Sequence, residues 1–290
     1  MAEKYLKNDE RLHQIVDILL INGLLIDCPG LINGKMGVAI FFFHYARQTG
    51  NELFVNYAFD IIGEIQEQIH NNSPADFERG ISGIGIGIDY LIRNGFLEDE
   101  EDVFSDFDKR MYRAVMFDPW QDFSLYDGLT GYGKYWIMRS AKTKQAKDCL
   151  WHIVACIEEK LHDISDWEKT DVYYFLLDLH HVSGFDAEAR NALSLLEQCR
   201  MEWDKQFAGN NLSIPCTGNS EVGKIIRMIH CHRYFNNVLK DEIDIVLQQI
   251  TDLNMEIPFE SMGLLTGYAG EGMLRLTTIE PSIISWMNLL

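Results

Sequence analysis

Five short glycine-rich stretches constrain this chain more than any other feature. They are Gly30 to Gly37 (GLINGKMG), Gly80 to Gly87 (GISGIGIG), Gly128 to Gly133 (GLTGYG), Cys216 to Gly223 (CTGNSEVG) and Gly263 to Gly272 (GLLTGYAGEG). In each, the residue before an inner glycine is Asn33, Ser82, Thr130, Thr217 or Thr266. Such residues cap helices by accepting bonds from first-turn amides, so each stretch reads as a helix entrance with an N-cap of this type. The glycines lack a Cβ and let a neighbouring helix end or a ligand approach the backbone.

The entrances recur about every 48 residues, with one interval, Gly131 to Gly218, close to double. A missing entrance therefore belongs near Asp171, where Val172 to Leu177 is apolar but lacks the glycines. After each entrance comes a run that is apolar on every side, such as Met36 to Phe43 or Ile84 to Ile92, followed by a run apolar on one face, such as Glu52 to Ile69. A helix apolar all round is buried all round, and a one-faced helix lies over it. The later pairs are Tyr132 to Met138 with Gln145 to Leu161, Val172 to Leu177 with Ala187 to Trp203, and Val222 to Ile229 with Leu239 to Ile250. Met273 to Leu276 and the tail make a sixth.

This pattern predicts an all-α chain, residues 1–290 as one domain, built as an (α/α)6 toroid: a closed ring of about six hairpins with inner and outer helices. The first and last entrances share Gly-Leu-x-x-Gly-x-x-Gly, which is expected if they are neighbours in a closed ring. Converging helix N-termini would favour an anion. Equally, the glycines could serve only the close packing of the inner helices.

A formal charge of -19 argues against nucleic acid as a partner, because a basic groove is needed to displace counterions. Met1 to Asn8 is polar and no 18-residue apolar run follows, which predicts neither signal peptide nor membrane span and a cytoplasmic protein. The six cysteines form no CxxC pair, so reduced thiols are expected.

The entrances, ending in GLLTGYAGEGMLRL, resemble those of the lanthionine synthetase C-like family from about Leu31 to Leu276. The resemblance implies the toroid, although family members commonly have seven hairpins and six are counted here. It also implies an activity: a zinc-bound peptide thiolate adds to dehydroalanine or dehydrobutyrine to close a thioether ring, as in lanthipeptides. The zinc would be held by a cysteine of a Cys-x-Gly entrance and a Cys-His pair of the next, in a Cys-His-Gly motif. Zinc suits such donors and deprotonates a bound thiol.

Cys216 matches the first ligand, but the Cys-His-Gly motif is absent and Leu265 and Thr266 stand in its place. The pair Cys231-His232 lies at the far end of the helix that Cys216 introduces, about 20 Å away. A complete zinc site is therefore not expected. The family's catalytic histidine is missing too, because the fourth helix start reads Asp171-Val172-Tyr173. Asp127, four residues before Gly131, matches the aspartate that the family associates with the acid/base step. The same aspartate would serve equally as a turn or cap. Tyr126, Tyr132, Tyr268 and Glu271 lie at entrances and are candidate contacts for a bound peptide.

Three functions follow. The first is a lanthionine synthetase C-like protein that binds or modifies a peptide, with cyclase chemistry altered or lost. The second is a non-catalytic scaffold, a pseudoenzyme that binds a substrate or leader peptide and partners a dehydratase-type modifying enzyme. The third is a carbohydrate-active toroid, in which Asp127 would need a second carboxylate, Glu221 or Glu271.

Overall fold

The computed structural model of the protein describes residues 9–99, 103–120, 122–198, 222–223, 225–226 and 255–290. Among the described residues every regular element is helical, and the fold is all-α. The α-helices are α1 (Glu10–Asn22), α2 (Lys35–Thr49), α3 (Glu52–Gln68), α4 (Ile81–Arg93), α5 (Ser105–Met116), α6 (Leu129–Arg139), α7 (Lys144–Lys160), α8 (Asp166–Leu179), α9 (Asp186–Gln198) and α10 (Tyr268–Ile279). Two 3₁₀ helices, Gly23–Leu25 and Pro281–Leu289, complete the set. The expected pair over Val222 to Ile229 and Leu239 to Ile250 lies almost wholly outside the described residues. None of the described helices is long and apolar enough to cross a membrane.

The expected alternation of buried and one-faced helices is present. Every residue of α2 from Lys35 to Ala46 is buried, whereas α3 buries only Ala58, Ile61, Ile62 and Ile65, the one-sided spacing of a 3.6-residue repeat. Likewise α7 buries Ala146, Cys149, Leu150, Ile153, Val154 and Ile157.

The chain resolves into two compact units. One comprises Met1–Ser73, Ile86–Glu100 and Thr217–Leu290, the other Pro74–Gly85 and Glu101–Cys216. Within the first unit α10 packs on both α1 and α2, and α2 on α3. The second is organised around α6, which packs on α7 and α8, with α5 against α7 and α9 against α8.

The helix entrances work differently from the expectation of side-chain caps. The residues at the N-cap are the glycines Gly34, Gly128 and Gly267, none of which can offer a side-chain oxygen. The first-turn amides are satisfied by the preceding loop, which folds back over the helix end. Lys35 N donates to Cys28 O, Ile81 N to Pro74 O, Leu129 N to Asp122 O and Tyr268 N to Ser261 O, each at 2.9 or 3.0 Å and each to a carbonyl seven positions earlier. At the last entrance Ala269 N and Gly270 N continue the pattern to Met262 O and Gly263 O. Asn33 and Thr266 precede the cap position, while Ser82 and Thr130 lie inside the first turn and donate to Gly131 O at 2.6 Å and Phe123 O at 2.9 Å. Thr217 lies outside the described residues.

The amides so bonded are not available to an anion at these helix starts. The geometry explains the glycines by close approach. A Cβ at Gly270 would strike the Leu264 carbonyl, and one at Gly272 would strike the Phe41 ring of α2. As their shared pattern predicts, the first and last entrances touch: Leu264 N donates to Ile32 O at 2.7 Å, and Thr266 Oγ1 lies 3.5 Å from Asn33 Oδ1.

Candidate functional site

In the second unit, the loops entering α4 and α6 are bound to one another. Phe77 N and Glu78 N both donate to Tyr126 O, at 2.9 and 3.1 Å, and Ser82 Oγ bonds to Gly131 O. The loop entering α6 is also held by the first two turns of α8, where Glu168 Oε1 accepts Phe123 N at 2.9 Å and Asp171 Oδ2 accepts Leu125 N at 2.8 Å. Backbone bonds thus fix the side chains that project from these loops.

Those side chains form a polar cluster. Asp76 is 8 % exposed, and its Oδ1 accepts Arg79 N at 2.7 Å. Burial raises its pKa, and the charge of Asp127 adds to the rise, against the lowering by the Arg79 amide and guanidinium. Tyr132, 8 % exposed, has its pKa pushed up to about 12 by burial first and by the charge of Asp76 next. Among the described residues none accepts or donates a hydrogen bond at its hydroxyl. Asp127 is 41 % exposed and pairs with the Arg79 guanidinium at 3.4 Å. Tyr126 is buried against Phe77, with ring centroids 6.4 Å apart. Arg110 and Asp118, paired at 2.8 Å, act on Tyr132 from α5 and the residues after it.

The structure therefore brings Asp127, Tyr126 and Tyr132 together and adds Asp76 and Arg79. Asp76 stands four residues before Gly80, the same spacing by which Asp127 precedes Gly131, so the Asp-x-x-x-Gly pattern marks both. The two carboxylates differ in environment. Asp76 is buried with a pKa raised by that burial, while Asp127 is solvated and ion-paired.

The entrance expected near Asp171 lies earlier, because the helix starts at Asp166 with Ser165 as its cap, and Asp171, in its second turn, has its pKa raised to about 7. Burial is the main cause, reinforced by Asp122 and Glu168 and opposed by the Leu125 amide and Lys134.

Tyr268 and Glu271 belong to the first unit and have other occupations. The Tyr268 hydroxyl donates to Ile257 O at 3.3 Å. Glu271 is fully buried, with Arg11 and Arg275 on its carboxylate and Asp9 completing the network through Arg275. Both of its oxygens are engaged by guanidinium groups. Glu221, Cys216, His230, Cys231 and His232 lie outside the described residues. Of the late histidines, His180 and His181 end α8, and His180 Nδ1 lies 2.9 Å from Asp186 Oδ1.

At the last entrance, Leu265 is buried at 3 % exposure, and Thr266 offers only a hydroxyl directed at Asn33. Neither side chain supplies the thiolate or imidazole that zinc takes from a Cys-His pair, so this entrance does not fit a zinc-ligating role.

No curated protein matches the chain. A family model described as lanthionine synthetase C-like protein matches residues 26–185, more than half of the 290 residues and the whole stretch from the first entrance through α8. The matched stretch contains the loops that carry Asp76 and Asp127 and the helix that carries Asp171, and with it the chain belongs to the lanthionine synthetase C-like family.

Proposed function

We propose that this protein binds a peptide over the polar cluster of its second unit, with Tyr126, Tyr132 and Asp127 as contacts and Asp76 as the principal proton-handling group. The observation that carries the reading is Tyr132. Its side chain is nine-tenths buried and feels the charge of the buried Asp76, and among the described residues its hydroxyl has no protein partner, which leaves it able to take a ligand's hydrogen bond.

The reaction that fits this cluster is addition of a cysteine thiol to a dehydroalanine. The Asp76 carboxylate takes the thiol proton, sulfur bonds to the β-carbon, and the π pair of the double bond moves to the α-carbon. Asp76 then returns the proton to that carbon, so atoms and charge balance without an external reagent. Zinc is not part of this reading, because the last entrance presents Leu265 and Thr266 where metal donors would stand. The helices are taken as the family's toroid, with the contact between the first and last entrances as support.

A second reading, a peptide-binding scaffold that partners a dehydratase-type enzyme, is favoured by the same Leu265 and Thr266. A synthetic peptide with one cysteine and one dehydroalanine separates the two. Saturable binding in calorimetry, weakened about tenfold by Tyr132→Phe with unchanged circular dichroism, is expected. Loss of the peptide thiol on incubation, abolished by Asp76→Asn, marks the cyclase, and binding without thiol loss marks the scaffold. A folded wild-type protein that does not bind the peptide overturns the proposal.

A further inference from the structure

The first two turns of α8 carry two acids, Glu168 and Asp171, three positions apart and therefore on one face. They meet two alternate amides of the loop entering α6. Phe123 N reaches Glu168 Oε1 at 2.9 Å, and Leu125 N reaches Asp171 Oδ2 at 2.8 Å. The other Glu168 oxygen is occupied by Ser165 N at 3.0 Å and by the Ser165 hydroxyl. On the far side of Leu125, the Tyr126 carbonyl is pinned by the Phe77 and Glu78 amides. Asp127 follows immediately. A displacement at Leu125 therefore reaches Tyr126 and Asp127 within two residues.

We propose that Asp171 is a positioning residue for the candidate site: through the Leu125 amide it sets where the loop presents Tyr126 and Asp127, and it holds that loop more tightly when ionised than when protonated. The physical basis is the greater strength of a hydrogen bond to a charged acceptor. The charged groups facing Asp171 are Lys134 of α6, Asp122 of the loop and Glu168 of its own helix. Glu168 holds the loop at Phe123, and Asp171 holds it at Leu125. Ionisation of Asp171 near pH 7 makes the loop tighten as pH rises through neutrality. The proposal rests on the assignment of Tyr126 and Asp127 to the site.

The test is NMR of the full chain across the neutral range, with no peptide present. In the wild type, the Leu125 amide shift moves in one step centred near neutrality. Asp171→Asn retains an acceptor and so keeps Leu125 protected from exchange, but the step disappears. Asp171→Leu removes the acceptor, and Leu125 exchanges about tenfold faster while Phe123, held by Glu168, stays protected. In both variants the Asp127 carboxyl carbon signal shifts, a change that a purely stabilising role for Asp171 does not produce. Persistence of the Leu125 step in Asp171→Asn, or an Asp127 signal identical to wild type in that variant, overturns the proposal, and Asp171→Asn decides it even if Asp171→Leu does not fold. Because no peptide is involved, a failure of peptide binding leaves this result standing, and peptide binding with unaltered NMR sinks the positioning role alone.

Discussion

Arg11 and Glu271, 260 positions apart in the chain, form a two-pronged ion pair, with Nη2 2.8 Å from Oε2 and Nε 3.0 Å from Oε1. Arg275 approaches the same carboxylate at 3.0 Å and reaches back to Asp9 at 3.2 Å. This network ties α1 to the first turn of α10.

Because Glu271 is fully buried between two guanidinium groups, its removal leaves charge without a partner. Glu271→Ala is expected to lower stability by about 3–5 kcal/mol, the cost of breaking a buried pair from one side. Urea denaturation measures it, and a loss no larger than that of an exposed pair such as Lys109 with Asp106 counts against the clasp.

Two buried groups give stability opposite dependences on pH. His44 is 1 % exposed, its Nε2 lies 2.7 Å from the Tyr90 hydroxyl, and burial, followed by Arg47, lowers its pKa from 6.5 to about 4. The unfolded chain thus binds a proton more readily, and the contribution of His44 is full above pH 6.5 and lost as pH falls toward 4, by roughly 3 kcal/mol. The wild type minus His44→Asn difference in unfolding free energy should narrow over that window.

Asp171 has the reverse sign. Its folded pKa lies above the unfolded value of 3.8, so the fold is favoured at low pH and that contribution is lost as pH rises through about 7. Asp171→Asn is expected to match wild-type stability near pH 4 and to gain on it progressively to neutrality. A constant difference across that range contradicts the raised pKa.

Two glycine substitutions should act in opposite directions. Gly63 lies within α3 with open space where a Cβ would sit, so Gly63→Ala is expected to raise stability by about 0.5–1 kcal/mol. Gly270→Ala places a Cβ against the Leu264 carbonyl, and a loss of about 1–3 kcal/mol is expected. Thermal melts of the two variants check both signs.

Elemental analysis of protein purified without chelators is expected to find well under one zinc per chain, because Leu265 and Thr266 offer neither a thiolate nor an imidazole at the last entrance. Stoichiometric zinc that is lost on Cys216→Ala would restore the metal-dependent cyclase.

The helices were legible in the sequence because periodicity reports burial directly: α2 is buried along its length and α3 on one face, as their patterns require. The family was legible from the glycine entrances, and the matched residues 26–185 include three of them. What escaped was the reason for the entrances. Asn33 and Thr266 resemble caps, but the loop supplies backbone carbonyls instead, a geometry that residue type does not encode. The aspartate spacing was read from Gly131 and selected Asp127, whereas the same spacing from Gly80 selects Asp76. Only burial separates the two, and burial depends on the neighbouring loop. Arg11 was invisible as the partner of Glu271 because nothing local links residues so distant in the chain.

The carbonyls seven positions upstream that bond the helix starts at Lys35, Ile81, Leu129 and Tyr268 have a consequence for how side chains at these entrances can vary. The start of α10 is secured by the main chain of Ser261, Met262 and Gly263, so the side chains at Leu265 and Thr266 are released from any duty in starting the helix. A thiol and an imidazole, or a leucine and a threonine, can occupy those two places while the helix begins at the same residue. Side-chain chemistry at this entrance is thereby uncoupled from the start of the helix.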